Sequence, residues 1–127
     1  MKKEIRTQNA PQPIGPYSQA ISTNGGFYFL SGQIPLNAEG KIVDGGIEEQ
    51  AHQVMNNIKA ILTEAGLSFD NIVKTTIFLS DMGNFAVVNS IYGEYFKGMV
   101  PPARSAFQVA RLPLDVMVEI ESIAVAG

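Results

Sequence analysis

Pro102-Ala103-Arg104-Ser105-Ala106-Phe107-Gln108-Val109-Ala110-Arg111-Leu112-Pro113, followed by Val118-Glu119-Ile120-Glu121, is the stretch from which the fold of this chain is read. Ala103 to Arg111 and Val116 to Val125 read as two strands, rich in β-formers and joined by a short proline turn. Alternation along the second strand sends Val116, Val118, Ile120, Ser122 and Ala124 to one face. Met117, Glu119, Glu121, Ile123 and Val125 go to the other, so neither face is cleanly polar. Such a sheet needs cover on both sides.

The rest of the chain supplies cover for one. Ile47 to Ala65 carries Ile47, Ala51, Val54, Ile58, Ile61, Leu62 and Ala65 at helical spacing, with Glu48 and Glu49 in the first turn and Gly66 just past the end. A second helix, capped by Asn84, is expected from the stripe Phe85, Val88, Ile91, Tyr92, Tyr95 and Phe96. Gly98 and the Pro101-Pro102 pair end it. Between the helices, Asn71 to Ser80 reads as a strand. Upstream, Ser18 to Ser22 and Phe27 to Ser31 flank Thr23-Asn24-Gly25-Gly26, a hairpin signal. With a short strand near Ile5, the order becomes β-β-β-α-β-α-β-β. The fold class expected is α+β: one mixed six-stranded sheet with two helices on one face. The apolar residues of the uncovered face predict a homo-oligomer.

Composition narrows the chemistry. The 127 residues fit one domain, 1–127, and 46% hydrophobic residues suffice for a core. A net charge of −3 argues against a nucleic-acid surface. With no cysteine there is no disulfide or thiolate, and the single histidine, His52, excludes multi-histidine metal sites. The start of the chain has no apolar run of a secretory signal, and no stretch approaches the ~20 residues of a membrane span. A soluble, cytoplasmic protein is expected. Phosphate-binding, dinucleotide, zincin and nucleophile-elbow patterns do not occur.

Arg104 and Glu119 are the leading candidates for chemistry. Arginine presents a planar fork that grips a carboxylate through two hydrogen bonds. A glutamate in an apolar strand is costly to bury and needs solvent or a role. The plain structural roles are an interface ion pair or strand-end cap for Arg104, and a solvated strand face for Glu119 and Glu121. If Leu112 to Asp115 is a simple connection, Gln108 lies opposite Glu119 and Arg104 opposite Ile123. Arg104 and Glu119 then share a face roughly 13 Å apart, too far for an ion pair. A compact site using both must draw them from different subunits. Tyr17, after the rigid Gly15-Pro16, is placed to hold a phenol over a pocket, and Ser31-Gly32-Gln33 offers a hydroxyl and unhindered N–H groups. His52 is read as a surface residue.

Nearly the full length of the chain resembles the RidA (YjgF) family of reactive-intermediate, or imine, deaminases. The matching residues run from Asn9-Ala10-Pro11 and Ile14-Gly15-Pro16-Tyr17-Ser18-Gln19 through Ser31-Gly32-Gln33-Ile34-Pro35. They continue in Ile72-Val73-Lys74-Thr75-Thr76 and Val88-Asn89-Ser90-Ile91-Tyr92, and end in the Pro-Ala-Arg-Ser and Val-Glu-Ile-Glu blocks. The resemblance implies a chorismate-mutase-like homotrimer with clefts between subunits. It implies hydrolysis of 2-imino or 2-amino-2-enoic acids, such as 2-aminoacrylate and 2-iminobutanoate, to 2-oxo acids and ammonia. That activity protects pyridoxal-phosphate enzymes and needs no cofactor and no metal. By position, Arg104 resembles the carboxylate anchor, Glu119 the residue that orients or activates water, and Tyr17 the closing phenol. Ser31, Gly32, Asn89 and Ala106 resemble substrate-binding positions. Many members carry cysteine where Ala106 stands, so thiol chemistry is closed to this chain. The alternatives are a non-enzymatic 2-oxo acid or amino-acid binder, a translation-inhibitor or endoribonuclease activity, and a chaperone-like oligomer.

Overall fold

The apolar stripe of the first long helix and the alternating strands close on one another because each alone leaves an apolar surface in water. The computed structural model describes residues 1–127. Its strands are β1 (Lys3–Ile5), β2 (Ala20–Ser22), β3 (Phe27–Gln33), β4 (Ile72–Leu79), β5 (Ala103–Gln108) and β6 (Val118–Val125). Its helices are α1 (Ile47–Glu64) and α2 (Phe85–Tyr95). The strands form one mixed sheet in the order β1-β2-β3-β6-β4-β5, and the two helices pack against one face. No helix is long and apolar enough to cross a membrane.

Val54, Met55, Ile58, Ile61 and Leu62 of α1 meet Ile77, Leu79, Val118 and Ile120 of the sheet, all buried. Each such side chain contributes about 1.5–3 kcal/mol on burial. Val88, Ile91 and Tyr92 extend this layer from α2. At the start of α1, Glu49 accepts a hydrogen bond from the Gly46 N–H at 2.8 Å. At its end Gly66 takes φ 76°. Asn84 does precede α2, but its side chain makes no cap bond. A 3-10 turn over Met82–Asn84 leads into the helix instead, with Asp81 accepting from the Gly83 N–H.

Three buried amides tie the loops to this frame. Gln19 accepts from the Thr7 N–H at 2.7 Å and donates to the Thr7 and Pro11 carbonyls. Asn57 of α1 donates to the carbonyls of Ile34 and Leu36, and Gln50 accepts from the Met117 N–H. Backbone groups in these segments would otherwise be desolvated without a partner.

The β2–β3 hairpin forms around Thr23–Gly26, with Gly26 at φ 82°. The expected pairing of the last two strands does not form. β5 is the sheet edge and runs parallel to β4, while β6 lies antiparallel between β3 and β4. The reason is the β4-α2-β5 order: a crossover helix returns the chain parallel to the strand it left. The connection from β5 to β6 then crosses over β4. It turns through Pro113–Asp115, where Leu114 and Asp115 take φ 56° and 57°, and Arg111 pairs with Asp115 at 2.6 Å.

β6 keeps the alternation read from its sequence. Val118, Ile120, Ser122 and Ala124 are buried under the helices, and Glu119, Glu121, Ile123 and Val125 line the uncovered face. Register places Phe27 and Phe29 beside Val125 and Ile123 on that face, and Phe78 beside Phe107. Phe27, Phe29 and Phe107 are exposed.

Candidate active site

Glu119 sits where the sheet is irregular. The register between β3 and β6 shifts between Leu30 and Gln33, so Ser31 and Gly32 form a local break in the ladder. Bulges of this kind re-aim side chains. The Glu119 carboxylate lies over the Gly32 backbone, so close that a Cβ on Gly32 would overlap it. Burial raises the Glu119 carboxyl above the ordinary glutamate value, and the neighbouring Glu121 charge adds to that rise. The Ser31 hydroxyl donates to the Ser18 carbonyl at 2.6 Å, and the Ser31 N–H donates to the Gln19 carbonyl at 2.9 Å. These bonds bring the Gly15–Ser18 segment against the bulge. Tyr17, next in the chain to Ser18, is exposed, and its hydroxyl accepts from the Ile14 N–H at 3.3 Å. Ser31, Gly32 and Glu119 thus belong to one neighbourhood, and Tyr17 stands on the loop that is bonded to it through Ser18.

Arg104 belongs to another. It lies at the β5 edge, paired with Thr75 of β4, on the face that carries the helices. Its guanidinium donates to Asn89 Oδ1 of α2 at 2.7 Å. It lies 5.1 Å from the Tyr92 ring centroid and 5.4 Å from that of Phe85. Arg111–Asp115 is the one ion pair of the molecule, so Arg104 has no carboxylate partner. Ala106, two residues on, shares its face and packs half-buried on the core. A shallow cleft of about 490 Å³ opens beside Arg104, lined by Asn89, Gly93, Met99 and Pro101 among others.

The expectation that Arg104 and Glu119 share a face is corrected here. Arg104 is level with Thr75, whose side chain is buried under the helices; Glu119 is level with Phe78, whose side chain points to the uncovered face. They stand three residues apart along β4 and on either side of it. That is about 10 Å along the strand and about 10 Å across the sheet. The earlier placement assumed a hairpin, and with β4 between the strands its register no longer applies. His52 is exposed as expected, but its Nδ1 lies 2.8 Å from the Tyr95 hydroxyl, linking α1 to α2.

Phe85 and Tyr92 read from sequence as members of the α2 apolar stripe and Thr75 as part of a strand, with no site role; the structure sets all three around Arg104. Phe85, Asn89 and Tyr92 are spaced i, i+4, i+7, which puts the polar residue inside the apolar stripe. That interruption was the available signal.

A family model described as endoribonuclease L-PSP matches residues 7–126. The chain belongs to this family, the YjgF/RutC/Rid family. A RutC family protein of Pyrococcus horikoshii is 54% identical over 98% of both chains. A Mus musculus protein named 2-iminobutanoate/2-iminopropanoate deaminase is 49% identical, covering 100% of this chain and 93% of its own. Among solved structures, E. coli TdcF with bound serine superposes on this Rid-family chain with a TM-score of 0.92 at 43% identity, covering 98% of this chain and 99% of that one.

Proposed function

We propose that this protein hydrolyses small 2-imino and 2-amino-2-enoic acids, such as 2-iminobutanoate and 2-aminoacrylate, to 2-oxo acids and ammonia. The observation that carries the reading is Arg104: a guanidinium backed by Phe85, Tyr92 and Asn89, exposed, and with no acid of its own chain to neutralise it. Such a group is suited to a substrate carboxylate. The name of the mouse relative supports the same substrate class.

A homotrimer with sites shared between copies is part of this proposal, and the same geometry supports the sharing. Arg104 and Asn89 sit on one face, and Glu119 lies over Gly32 on the other, with Ser31 beside it. One protomer cannot close them on a single small acid. A neighbouring copy, packed on the apolar uncovered face, can offer its Arg104 to the Glu119 cluster.

In that cleft Arg104 fixes the carboxylate and orients C2. A 2-amino-2-enoic acid takes a solvent proton at C3 and so becomes the same protonated imine; water then adds to C2 while Glu119 accepts its proton. The carbinolamine then breaks its C–N bond as the Glu119 acid returns its proton to nitrogen; the carboxylate so formed takes the carbinolamine hydroxyl proton as the carbonyl of the 2-oxo acid forms, and passes it to the departing ammonia, which leaves as ammonium. A carboxyl raised by burial is a better base than an ordinary glutamate, and a positioned base contributes about 10²–10⁴-fold. Tyr17 and Ser31 supply hydrogen bonds at the rim, and Ala106 leaves room where a larger residue would narrow the cleft.

The test couples the protein to a dehydratase that releases 2-iminobutanoate, with semicarbazide as a competing trap. Accelerated 2-oxobutyrate formation is expected, reduced at least 10²-fold in Arg104→Ala. No acceleration by correctly assembled protein rejects the reading. The serine held by E. coli TdcF favours one other reading, an amino-acid or 2-oxo acid binder without turnover. That reading predicts ligand binding lost in Arg104→Ala and no catalysis. A ribonuclease reading fits poorly with a net charge of −3.

A further inference from the structure

We infer that Tyr92 is a positioning residue for Arg104: its ring, with that of Phe85, forms the platform that holds the guanidinium, and its hydroxyl bonds that platform to the sheet. The inference rests on the reading of Arg104 as the carboxylate anchor. Three contacts form a closed loop, and a fourth, from Asn89, joins it. Arg104 of β5 is the register partner of Thr75 on β4. Thr75 Oγ1 and Tyr92 Oη share a buried hydrogen bond of 2.7 Å. The Tyr92 ring lies 5.1 Å from the Arg104 guanidinium carbon, and Asn89, one turn back on α2, takes a guanidinium hydrogen bond at 2.7 Å.

The geometry divides the guanidinium's donors. Arginine has five N–H groups in a rigid plane. A ring on its face uses none of them, and Asn89 uses one edge. The remaining donors stay free for a planar carboxylate. An unclamped arginine on a sheet edge would sample many rotamers and lose that freedom on each binding event; a clamped one has lost it already. Tyr92 is itself 5% exposed, and burial holds its phenol above the ordinary pKa. It stays a neutral donor or acceptor for Thr75 while its ring faces the cation.

The competing role for Tyr92 is core packing alone, and the experiment separates the two. Calorimetry measures 2-oxobutyrate binding to the full chain, and the coupled assay gives KM and kcat. Tyr92→Leu removes the aromatic face, and a weakening of 2-oxobutyrate binding by about tenfold is expected, with KM rising equally and kcat within about twofold. Tyr92→Phe keeps the face, so affinity stays within about twofold of wild type although thermal stability falls. Phe85→Leu, at a half-buried position, weakens binding by about threefold. Wild-type affinity in folded Tyr92→Leu overturns the inference. Should Tyr92→Leu not fold, Phe85→Leu decides alone, and wild-type affinity there overturns it equally. Binding is read without turnover, so a protein that binds but never deaminates sinks the deaminase reading and leaves this one standing. Wild type that binds no 2-oxo acid sinks both.

Discussion

Glu119 and Gly32 show what one missing methyl group permits. The Glu119 carboxylate occupies the space that a Cβ at position 32 would need. Gly32→Ala is expected to displace it and lower the deamination rate by at least tenfold, while the fold, followed by circular dichroism, survives. Glu119 also carries a signed pH dependence. Its folded pKa lies above the ordinary 4.5, because of burial first and Glu121 second. The stability linked to this group is therefore fully present below about 4.5 and is lost as pH rises through the raised folded value. Glu119→Gln is expected to melt above wild type at pH 7.5, with the gain vanishing at pH 4. The same variant should lose the acid limb of the rate profile together with most of the rate. A rate unchanged in Glu119→Gln removes Glu119 from the mechanism.

The elements owe their arrangement to one helix and one turn. α2 between β4 and β5 makes those strands parallel, and β6 then fills the position between β3 and β4. Its return needs a turn in which Leu114, a residue with no preference for the left-handed region, takes φ 56°. Holding a leucine there costs about 1–2 kcal/mol. Leu114 is 54% exposed, so little packing is lost on replacing it. Leu114→Asn is expected to stabilise the chain by about 0.5–1 kcal/mol in urea unfolding, asparagine being tolerant of this region. An unchanged or lower midpoint would show that Leu114 packs on something in the assembled protein.

At the scale of the whole molecule, the asymmetry of the sheet dominates. One face is sealed by α1 and α2; the other presents Phe27, Phe29 and Phe107 to solvent in a lone protomer. Phe27 and Phe29 stack at 6.4 Å between centroids. Each ring is about half exposed, so covering it contributes about half of the ~1.5–3 kcal/mol of a full burial. Phe29→Glu is expected to convert the proposed trimer to monomer in light scattering and to abolish turnover, although no residue of the proposed cleft is touched. A monomer that keeps full activity would refute the shared site.

Much of this was legible in the chain because its signals are local. The period of α1, the Asn24-Gly25 hairpin and the alternation along β6 depend on residues within a few positions of one another. Arg104 and Glu119 stand out as candidates for the same reason, a charge set against an apolar strand, while the roles proposed for them come from the resemblance to the family. Strand order was not, because nothing in β5 or β6 records that β4 lies between them. That order follows from a crossover helix and from which strands bury the most surface together. The face on which Arg104 lies and the rings beneath its guanidinium were settled with it, since both depend on register between segments far apart in sequence.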